Sequence, residues 1–380
     1  MKPKIRFKGF EGEWKTSTIG DFTTSFSGGT PTAGASEFYG GNIPFIRSGE
    51  IHESKTELFL TEAGLNNSSA KVVEKGTLLY ALYGATSGEV GISKIKGAIN
   101  QAILAIYPNK TVDKRFLANY LQSHKEKIVG ELLQGGQGNL SGALVKSISV
   151  TYPNNREQQT ISDYVDSLDS QISASTSRLA SLKQMKAASL QAMFPQEGET
   201  VPKIRFKGFE GEWKEQSLSG HNFFIIAGGD VDKILLQNNG KYPVIANALT
   251  NDGILGYYMD SYRVDGPAVT VTGRGDIGIA IARHYSFTPV VRLLSIKSNH
   301  NVDFLANAIN CYKVAKESTG VPQLTTAKLQ EYRIKMPMNI DEENAIGNYF
   351  TSLDRQISLQ SQRLEKLKQI KSACLDKMFV

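Results

Sequence analysis

The sequence repeats itself, and this repeat limits the possible folds more than any other feature. Residues 3–15 (PKIRFKGFEGEWK) recur without a change at 202–214, 199 residues later. Residues 161–194 align without gaps with residues 346–379, and 18 of these 34 positions are identical. A period of about half the chain is far longer than that of a solenoid repeat. The sequence therefore predicts two copies of one large unit, each with a divergent block followed by a similar helical block.

The divergent blocks, roughly 16–150 and 215–336, share little identity but keep short motifs in the same order. This pattern predicts one fold that carries two different surfaces. The matched motifs are Phe116–Asn119 with Phe304–Asn307, Gly88–Ile92 with Gly275–Ile279, and Gln137–Leu140 with Val321–Leu324.

The two similar blocks carry a heptad seam, because their apolar residues recur at alternating spacings of four and three. Both seams are interrupted at the same two positions, by Ser175 and Gln360 and by Lys186 and Lys371. Each helix of about 34 residues would be roughly 50 Å long. The principal seam residues are Leu168, Ile172, Leu179, Leu182, Leu353, Ile357, Leu364 and Leu367.

One such helix alone would more often be a solvent-facing helix of a bundle. Two similar helices in one chain favour pairing with each other, and a twofold relation between the halves makes them antiparallel. Prolines at 153 and 337 precede the helices, as start signals do. We therefore divide the chain at residues 1–152, 153–197, 198–336 and 337–380.

The divergent blocks are predicted to be rich in β-structure. They contain glycine-punctuated runs of β-branched and aromatic residues, such as 76–84, 242–248, 267–273 and 278–287. A short helical stretch follows in each block, near 113–133 and 302–316. The predicted fold class is α+β, with two pseudo-symmetric β-rich domains separated by a long antiparallel two-helix coiled-coil spacer.

Composition narrows the functional classes. The 380 residues suffice for two or three domains, and the net charge of +6 permits a polyanionic partner without proving one. No apolar run approaches the roughly 18 residues of a membrane span, and the N-terminus lacks the apolar stretch of a signal peptide. Two cysteines cannot build a disulfide framework, so the expected location is the cytoplasm.

Motifs for catalysis are missing from the sequence. It has no GxxxxGK[ST] phosphate loop, no HExxH, no GxSxG elbow and no NPPY-like methyltransferase motif. A nuclease or methylase with an unrecognised site is one alternative, with magnesium held by Asp230, Asp232 or Asp276. A duplicated site would need matching acids, and only Glu89 and Asp276 match in our alignment. A bivalent protein- or glycan-binding module is the other alternative.

The whole pattern resembles the specificity subunit of type I restriction–modification systems. The resemblance rests on the duplicated segment at 3–15 and 202–214, on GGNIPFIRSGEI at 40–51, on the G-N-L element at 138–140, and on the paired helical blocks. It covers nearly the whole chain.

The resemblance implies a non-catalytic adaptor. The segments 1–152 and 198–336 would be target recognition domains that each read half of a bipartite site in double-stranded DNA. The helices would fix the gap between half-sites, roughly one helical turn of DNA or 10 bp. Two methyltransferase subunits and the endonuclease–translocase subunits would dock on the chain. These partners would bind S-adenosylmethionine, ATP and Mg, whereas this chain would bind no cofactor, no metal and no membrane.

Residues for DNA contact are expected in loops of each recognition domain. Arg47 suits guanine or a phosphate, Asn100 and Gln101 suit adenine, and Arg274 lies between two glycines in a predicted exposed loop. The candidates in the first domain are Thr30, Arg47, Ser48, Tyr83, Thr86, Ser87, Asn100, Gln101 and Asn139. Those in the second domain are Asn247, Thr272, Arg274, Arg292 and Gln323.

The duplicated basic residues around Arg6 and Arg205 are assigned to the scaffold. They are identical in both halves, whereas residues that read two different half-sites should differ. Contact with phosphates, contact with a methyltransferase subunit and a merely solvated edge remain the alternatives for this segment.

Overall fold

The computed structural model describes residues 2–132, 139–311 and 323–380. Its contacts divide the chain into two compact units. Unit 1 comprises Met1–Ala174 and Leu364–Val380, and unit 2 comprises Ser175–Arg363. Each unit therefore combines one globular block with parts of both long helices. The predicted α+β class is confirmed.

Unit 1 contains two four-stranded sheets and a short two-stranded sheet. Their strand orders are β2-β9-β6-β7, β4-β3-β8-β5 and β1-β10, and all neighbours are antiparallel except β3 and β8. The strands are β1 (Lys15–Thr18), β2 (Thr23–Ser27), β3 (Tyr39–Ile46), β4 (Leu58–Leu60), β5 (Lys71–Val73), β6 (Leu78–Ala81), β7 (Val90–Ile92), β8 (Gly97–Ile99), β9 (Ile103–Pro108) and β10 (Ser149–Tyr152). The helices are α1 (Ile19–Phe22), α2 (Glu62–Asn66), α3 (Lys114–Ser123), α4 (Lys125–Leu132), α5 (Gly142–Ser147) and α6 (Asn155–Met193), the last of which continues into unit 2.

Unit 2 repeats this plan. Its sheets have the orders β12-β18-β15-β16, β14-β13-β17 and β11-β19, and β13 and β17 are the parallel pair. The strands are β11 (Lys214–Ser217), β12 (Phe223–Ala227), β13 (Tyr242–Ile245), β14 (Ile254–Tyr258), β15 (Ala268–Thr272), β16 (Ala280–Arg283), β17 (Thr288–Pro289), β18 (Leu293–Ser298) and β19 (Arg333–Met336). The helices are α7 (Val302–Cys311), α8 (Thr326–Gln330) and α9 (Ile340–Met378), and α9 continues into unit 1.

The central strand β6 explains why the sequence of these blocks contains continuous apolar runs. All four of its side chains are buried. Leu78 and Tyr80 point into the core that contains α3, while Leu79 and Ala81 point into the core shared with the second sheet. A strand that is covered on both faces needs apolar residues at every position.

The duplicated segment builds the same aromatic core in both units. In unit 1, Phe116 packs against Trp14 and against Phe379, at ring-centroid distances of 5.9 and 5.3 Å. In unit 2, Phe304 packs against Trp213 at 5.7 Å and stacks on Phe194 at 5.4 Å. Each globular block therefore packs on the C-terminal end of a long helix, α9 in unit 1 and α6 in unit 2. The predicted equivalence of Phe116–Asn119 and Phe304–Asn307 is confirmed.

Arg6 and Arg205 join the duplicated segments to the starts of the long helices. Arg6 donates two 2.7 Å hydrogen bonds to Glu157, and Arg205 makes the same two bonds, also at 2.7 Å, to Glu342. The carboxylate side chains are only 0% and 1% exposed. Both arginines also donate to carbonyl groups of their own segment. These two arginines therefore serve the scaffold, as predicted.

The heptad seam is confirmed, because all the seam residues are buried or half-buried. Within unit 2, Lys186 binds Asp354 at 2.6 Å, and the Gln360 side chain donates to the Ser175 carbonyl oxygen at 3.2 Å. Within unit 1, Lys371 binds Asp169 at 2.5 Å. In unit 2, the higher-numbered residue of α6 meets the lower-numbered residue of α9, so these helical segments run antiparallel. The polar interruptions of the seam are thus satisfied by partners from the other helix.

Two details of the prediction were wrong. Both long helices are 39 residues long rather than about 34. Their starts at Asn155 and Ile340 do follow Pro153 and Pro337, as the start signals predict. The alignment of Gly88–Ile92 with Gly275–Ile279 is also out of register by three residues. Gly88 and Gly278 occupy the same place, since their N–H groups donate to the ends of β6 and β15. The glycine-rich stretch at 135–138 and the end of the predicted 302–316 helix lie outside the described residues.

Candidate nucleic-acid interface

Backbone hydrogen bonds hold five loop segments of unit 1 together. The segments are 28–30, 46–48, 82–87, 99–102 and 139–140, which we call the first loop cluster. Gly29 N–H donates to the Ile99 carbonyl, and Asn100 N–H donates to the Ile46 carbonyl, both at 3.2 Å. Leu82 links the other segments, because it donates to Ala102 at 2.8 Å and accepts from Leu140 at 3.0 Å.

Unit 2 repeats these bonds in a second loop cluster, formed by 228–230, 245–247, 273–277, 289–292 and 323–324. Gly229 N–H donates to Pro289 at 3.1 Å, and Val290 N–H donates to Ile245 at 2.8 Å. Gly273 donates to Arg292 and accepts from Leu324, both at 2.9 Å. The bonds assign equivalent positions that sequence identity does not reveal. The equivalent pairs are Ser48 with Asn247, Tyr83 with Arg274, Asn139 with Gln323, and Ala102 with Arg292.

A glycine pair starts the first loop of each cluster for a steric reason. A Cβ atom on Gly28 would lie 1.8 Å from the Ile99 carbonyl oxygen, and one on Gly228 would lie 1.9 Å from that of Val290. No side chain fits at such distances, so only glycine allows the backbone to approach. The repeated Gly-Gly is the sequence signal that could have aligned the two clusters.

Three polar candidates of the first cluster are engaged with their neighbours. The Thr30 hydroxyl donates to the Gln101 side-chain oxygen, which ties two exposed loops together. The Asn100 side-chain oxygen accepts from Ala102 N–H at 3.2 Å, so it shapes its own loop.

The predicted hairpin tip is present, because residues 84–86 form a 3-10 turn between the paired strands β6 and β7. The Thr86 and Ser87 hydroxyls donate to the carbonyls of Tyr83 and Leu82, at 3.3 and 3.4 Å. These two side chains therefore stabilise the tip, and Tyr83 is half-buried beside it.

Arg47 is already paired with two carboxylates. It donates to Glu50 at 3.0 and 3.1 Å and to Glu57 at 2.6 Å, and these bonds raise the pKa of the guanidinium. Burial alone would raise the pKa of Glu50, but hydrogen bonds from Arg47 and from the backbone of Glu57 outweigh it and lower that pKa to about 2. Arg47 would have to break these hydrogen bonds before its guanidinium could form a bidentate contact with guanine.

The second loop cluster brings together four of the predicted residues. The Asn247 side chain donates to the Arg274 carbonyl at 2.6 Å and accepts from Gly273 N–H at 2.7 Å. Arg274 forms a β-bridge with Gln323, and Arg292 donates to the Gln323 side chain. The Arg274 side chain is exposed in this loop, as predicted. Asn247 therefore positions the loop, while Arg274 is available for a ligand.

Arg292 also carries backbone strain. Its φ angle of +78° lies in the left-handed region that non-glycine residues rarely adopt. Such outliers persist where the surrounding structure holds them, and they concentrate at functional sites. Here the Gly273 N–H bond to the Arg292 carbonyl holds the residue in place.

Thr272 does not belong to this surface, which corrects the prediction. It is the last residue of β15 and only 4% exposed. Its hydroxyl donates to the Asp276 carbonyl and accepts from Ile279 N–H at 3.0 Å. The side chain therefore closes the turn from within.

Two further candidates lie in the first cluster, where Asn139 is exposed and Ser48 is half-buried. Gln137, which belongs to the same late loop as Asn139, lies outside the described residues.

Among the residues that the structure describes, no group of three His, Cys, Asp or Glu could hold a metal ion. None of the helices in the described ranges is long and apolar enough to cross a membrane.

Solved proteins share this fold of two similar blocks. The fold is similar to that of the specificity subunit of a type I restriction–modification system from M. genitalium, with a TM-score of 0.72, 15% identity and coverage of 100% and 99% of the two chains. A second similar chain comes from a structure of type I restriction–modification complex assembly, with a TM-score of 0.52, 15% identity and coverage of 97% and 98%.

The chain belongs to the family of the type I restriction modification DNA specificity domain, whose model matches residues 11–184 and again 211–369. A type I specificity subunit from Mycoplasma pneumoniae is 28% identical over 235 residues, which are 60% of this chain and 61% of the relative. The specificity subunit of the restriction enzyme MjaIX from Methanocaldococcus jannaschii is 31% identical over 170 residues, 41% of this chain and 38% of the relative. The chain thus matches less than two thirds of the length of each of these relatives.

Proposed function

We propose that this chain is the DNA-specificity subunit of a type I restriction–modification complex. The observation that carries this proposal is the pair of loop clusters, which share one backbone frame but expose different side chains at equivalent positions. Such a pair suits two half-sites of different sequence. Contacts with the bases determine which DNA sequence is bound, whereas contacts with the DNA phosphates determine how the protein is placed on the duplex. The family match does not favour the alternative, a bivalent protein- or glycan-binding module.

The long helices would set the gap between the two half-sites. Two recognition domains on one chain gain from effective concentration, so neither alone should bind DNA tightly. The chain itself would be non-catalytic. S-adenosylmethionine, ATP and Mg would be bound by methyltransferase and endonuclease–translocase partners, and the complex would act on DNA in the cytoplasm.

The duplicated segments are suited to a partner that is present twice. With Arg6 and Arg205 occupied by buried carboxylates, the exposed groups of these segments include Ile5 with Lys4 and Lys8, and Ile204 with Lys203 and Lys207. An identical surface on both units supports docking of two identical methyltransferase subunits.

A binding titration tests the proposal. The purified chain, alone and assembled with methyltransferase subunits, is titrated with duplex DNA at several salt concentrations. A DNA adaptor predicts affinity that falls steeply as salt rises, because phosphate contacts release counterions. It also predicts no methylation or cleavage by the chain alone. Salt-insensitive binding, or methylation of DNA by this chain without a partner, would contradict the proposal.

An insertion tests the role of the helices. Seven residues added to α6, with the matching seven added to α9, preserve the heptad register of both seams. The gap in the target site should change while its two half-sequences stay the same, as read by methylation mapping in cells. An unchanged gap would show that the helices do not set it.

A further inference from the structure

Ile234, in the loop that follows the glycine pair of the second loop cluster, is exposed to solvent and does not contribute to the core. Ile234 is 92% exposed and Leu235 is 52% exposed, in a turn between β12 and β13. Isolated apolar residues on a surface are ordinary. The unusual feature here is how firmly the turn is fixed.

The turn is fixed by hydrogen bonds at its start. The Asp232 side chain accepts from Ile234 N–H at 2.9 Å and from Leu235 N–H at 3.4 Å. Asp232 N–H in turn donates to the hydroxyl of the buried Tyr258 at 2.8 Å. The Asp232 carboxylate therefore faces the backbone of the turn.

The end of the turn is fixed to β14. Gln237 and Tyr257 exchange two backbone hydrogen bonds of 3.0 and 2.9 Å. The Leu236 side chain covers Gly256, where a Cβ atom would lie 2.8 Å from it. The backbone of the turn is thus held at both ends, which lowers the entropy cost of binding a partner.

The start of this loop is part of the second loop cluster. Gly229 accepts from Val291 N–H at 3.0 Å, next to Arg292. The exposed Lys233 adjoins Ile234. Asp230 is exposed at the same end, and its carbonyl accepts from Arg263. The loop that carries the apolar tip therefore starts within the surface that we assign to DNA. Its exposed charged residues are the basic Lys233 and the acidic Asp230 and Asp232.

The tip is not repeated in unit 1. The equivalent loop, which follows Gly28–Gly29, reads TPTAGASE at 30–37 and has no large aliphatic residue. A subunit that docks twice would require the same feature on both units. A contact found in one unit only fits a ligand that differs between the two halves, and the two half-sites of DNA differ in that way.

We propose that Ile234 reads a thymine through its 5-methyl group in the second half-site. This methyl group is the apolar feature of the major groove and distinguishes thymine from the other bases. The inference rests on the proposed function, because it takes the second loop cluster as a DNA surface.

Substitution of thymine by deoxyuridine tests this contact, because it removes only the methyl group. The full chain, assembled with its methyltransferase subunits, binds duplexes that carry the mapped target with one thymine replaced at a time. One replacement in or beside the second half-site should weaken binding about fourfold, the effect of burying one methyl group. Ile234→Ala should weaken binding to the normal duplex by a similar factor and should abolish the effect of that replacement.

Matched controls separate the two proposals. Ile340→Ala removes another exposed isoleucine of unit 2, at the start of α9, and should leave the deoxyuridine effect intact. If every replacement is neutral, or if the half-site and its flanks lack thymine, the contact is overturned while salt-dependent binding still supports the DNA function. If Ile234→Ala weakens binding but deoxyuridine has no effect, a wedge between base pairs or a protein contact replaces our assignment. Absence of any specific DNA binding would instead overturn the proposed function.

Discussion

The two loop clusters differ in side chains while their backbones agree. Ser48 in unit 1 occupies the place of Asn247 in unit 2, and Tyr83 occupies that of Arg274. The frame survives because it is built from main-chain N–H and C=O groups, which every non-proline residue supplies. Close approach demands glycine at Gly28 and Gly228 in both clusters, and at Gly273 in the second, where a Cβ atom would lie 2.4 Å from the Arg292 carbonyl oxygen. A fold of this kind can change what it recognises without changing how it is held together.

The junctions with the long helices differ in another way. In unit 1, the neutral Gln158 accepts from Asp113 N–H at 2.7 Å and donates to two carbonyl groups. In unit 2, Glu343 occupies the equivalent position, where it accepts from Asn301 N–H and pairs with His300 at 2.9 Å. The same position therefore carries an amide in one unit and a carboxyl group in the other.

Loss of Arg6 or Arg205 should have the largest effect on stability. It should also show whether each ion pair stabilises only the unit that contains it. Arg6→Met leaves Glu157 buried without its cation, and Arg205→Met does the same to Glu342. Each should lower the free energy of unfolding by about 3–5 kcal/mol. Denaturant unfolding measures the total, and hydrogen exchange locates it.

The expected loss of protection from exchange is confined to the unit that carries the substitution. Lys8→Met, which changes an exposed residue of the same segment, should shift stability by less than about 0.5 kcal/mol. If both units lost protection equally, the stabilising effect of each ion pair would extend beyond the unit that contains it.

Exchange of the junction residues should have the next largest effect. Gln158→Glu buries a carboxylate beside two carbonyl oxygens that lose their donor, and should cost about 2–3 kcal/mol. Glu343→Gln keeps an acceptor for Asn301 and should cost about 1 kcal/mol. Thermal unfolding of both variants measures the difference, and equal losses would show that the charge of the junction does not matter.

Much of the fold could be predicted because periodicity follows directly from geometry. The seam residues, such as Leu168 and Leu353, recur at heptad spacing, and their burial follows from that spacing. The identity of residues 3–15 with 202–214 predicts one scaffold used twice. The helix lengths were underestimated because the helices begin before the region of clear sequence similarity, although Pro153 and Pro337 mark their starts.

The loop clusters could be predicted only in part. Arg274 between two glycines does mark an exposed loop, but Thr272 beside it is buried, since its hydroxyl closes the turn. No pattern in the sequence shows that the Asn247 side chain would form hydrogen bonds with the backbone of a loop 26 residues away. Ile234 lies in an Ile-Leu-Leu run that resembles a core strand, so its exposure depends on the turn made by Asp232.

Substitution of the paired loop residues should alter one half-site each. Arg274→Ala should cost about 1–2 kcal/mol in discrimination at one position of the second half-site, as expected for loss of a base contact. Tyr83→Ala should affect only the first half-site. Methylation mapping across all sequence variants of the target measures both, and equal relaxation in both halves would contradict the assignment of one cluster to each half-site.

Acid should produce the smallest effect, and in the first cluster only. Burial raises the pKa of Glu50, but its bonds from Arg47 and from the backbone prevail and hold that pKa at about 2, below the ordinary value of 4.5. The pair therefore stabilises strand β3 and its loop fully above pH 4.5, and this contribution declines as the pH falls from 4.5 towards 2.

Because Arg47 is partly exposed, the pair should contribute about 1 kcal/mol. Hydrogen exchange of residues 44–60 between pH 5 and pH 2.5, compared in the native protein and in Arg47→Met, isolates this contribution from other carboxylates. Residue 246, the equivalent of Arg47 in unit 2, is alanine. The Arg47→Met substitution should therefore leave the acid response of residues 243–259 unchanged, and a change there would show that the two clusters are coupled.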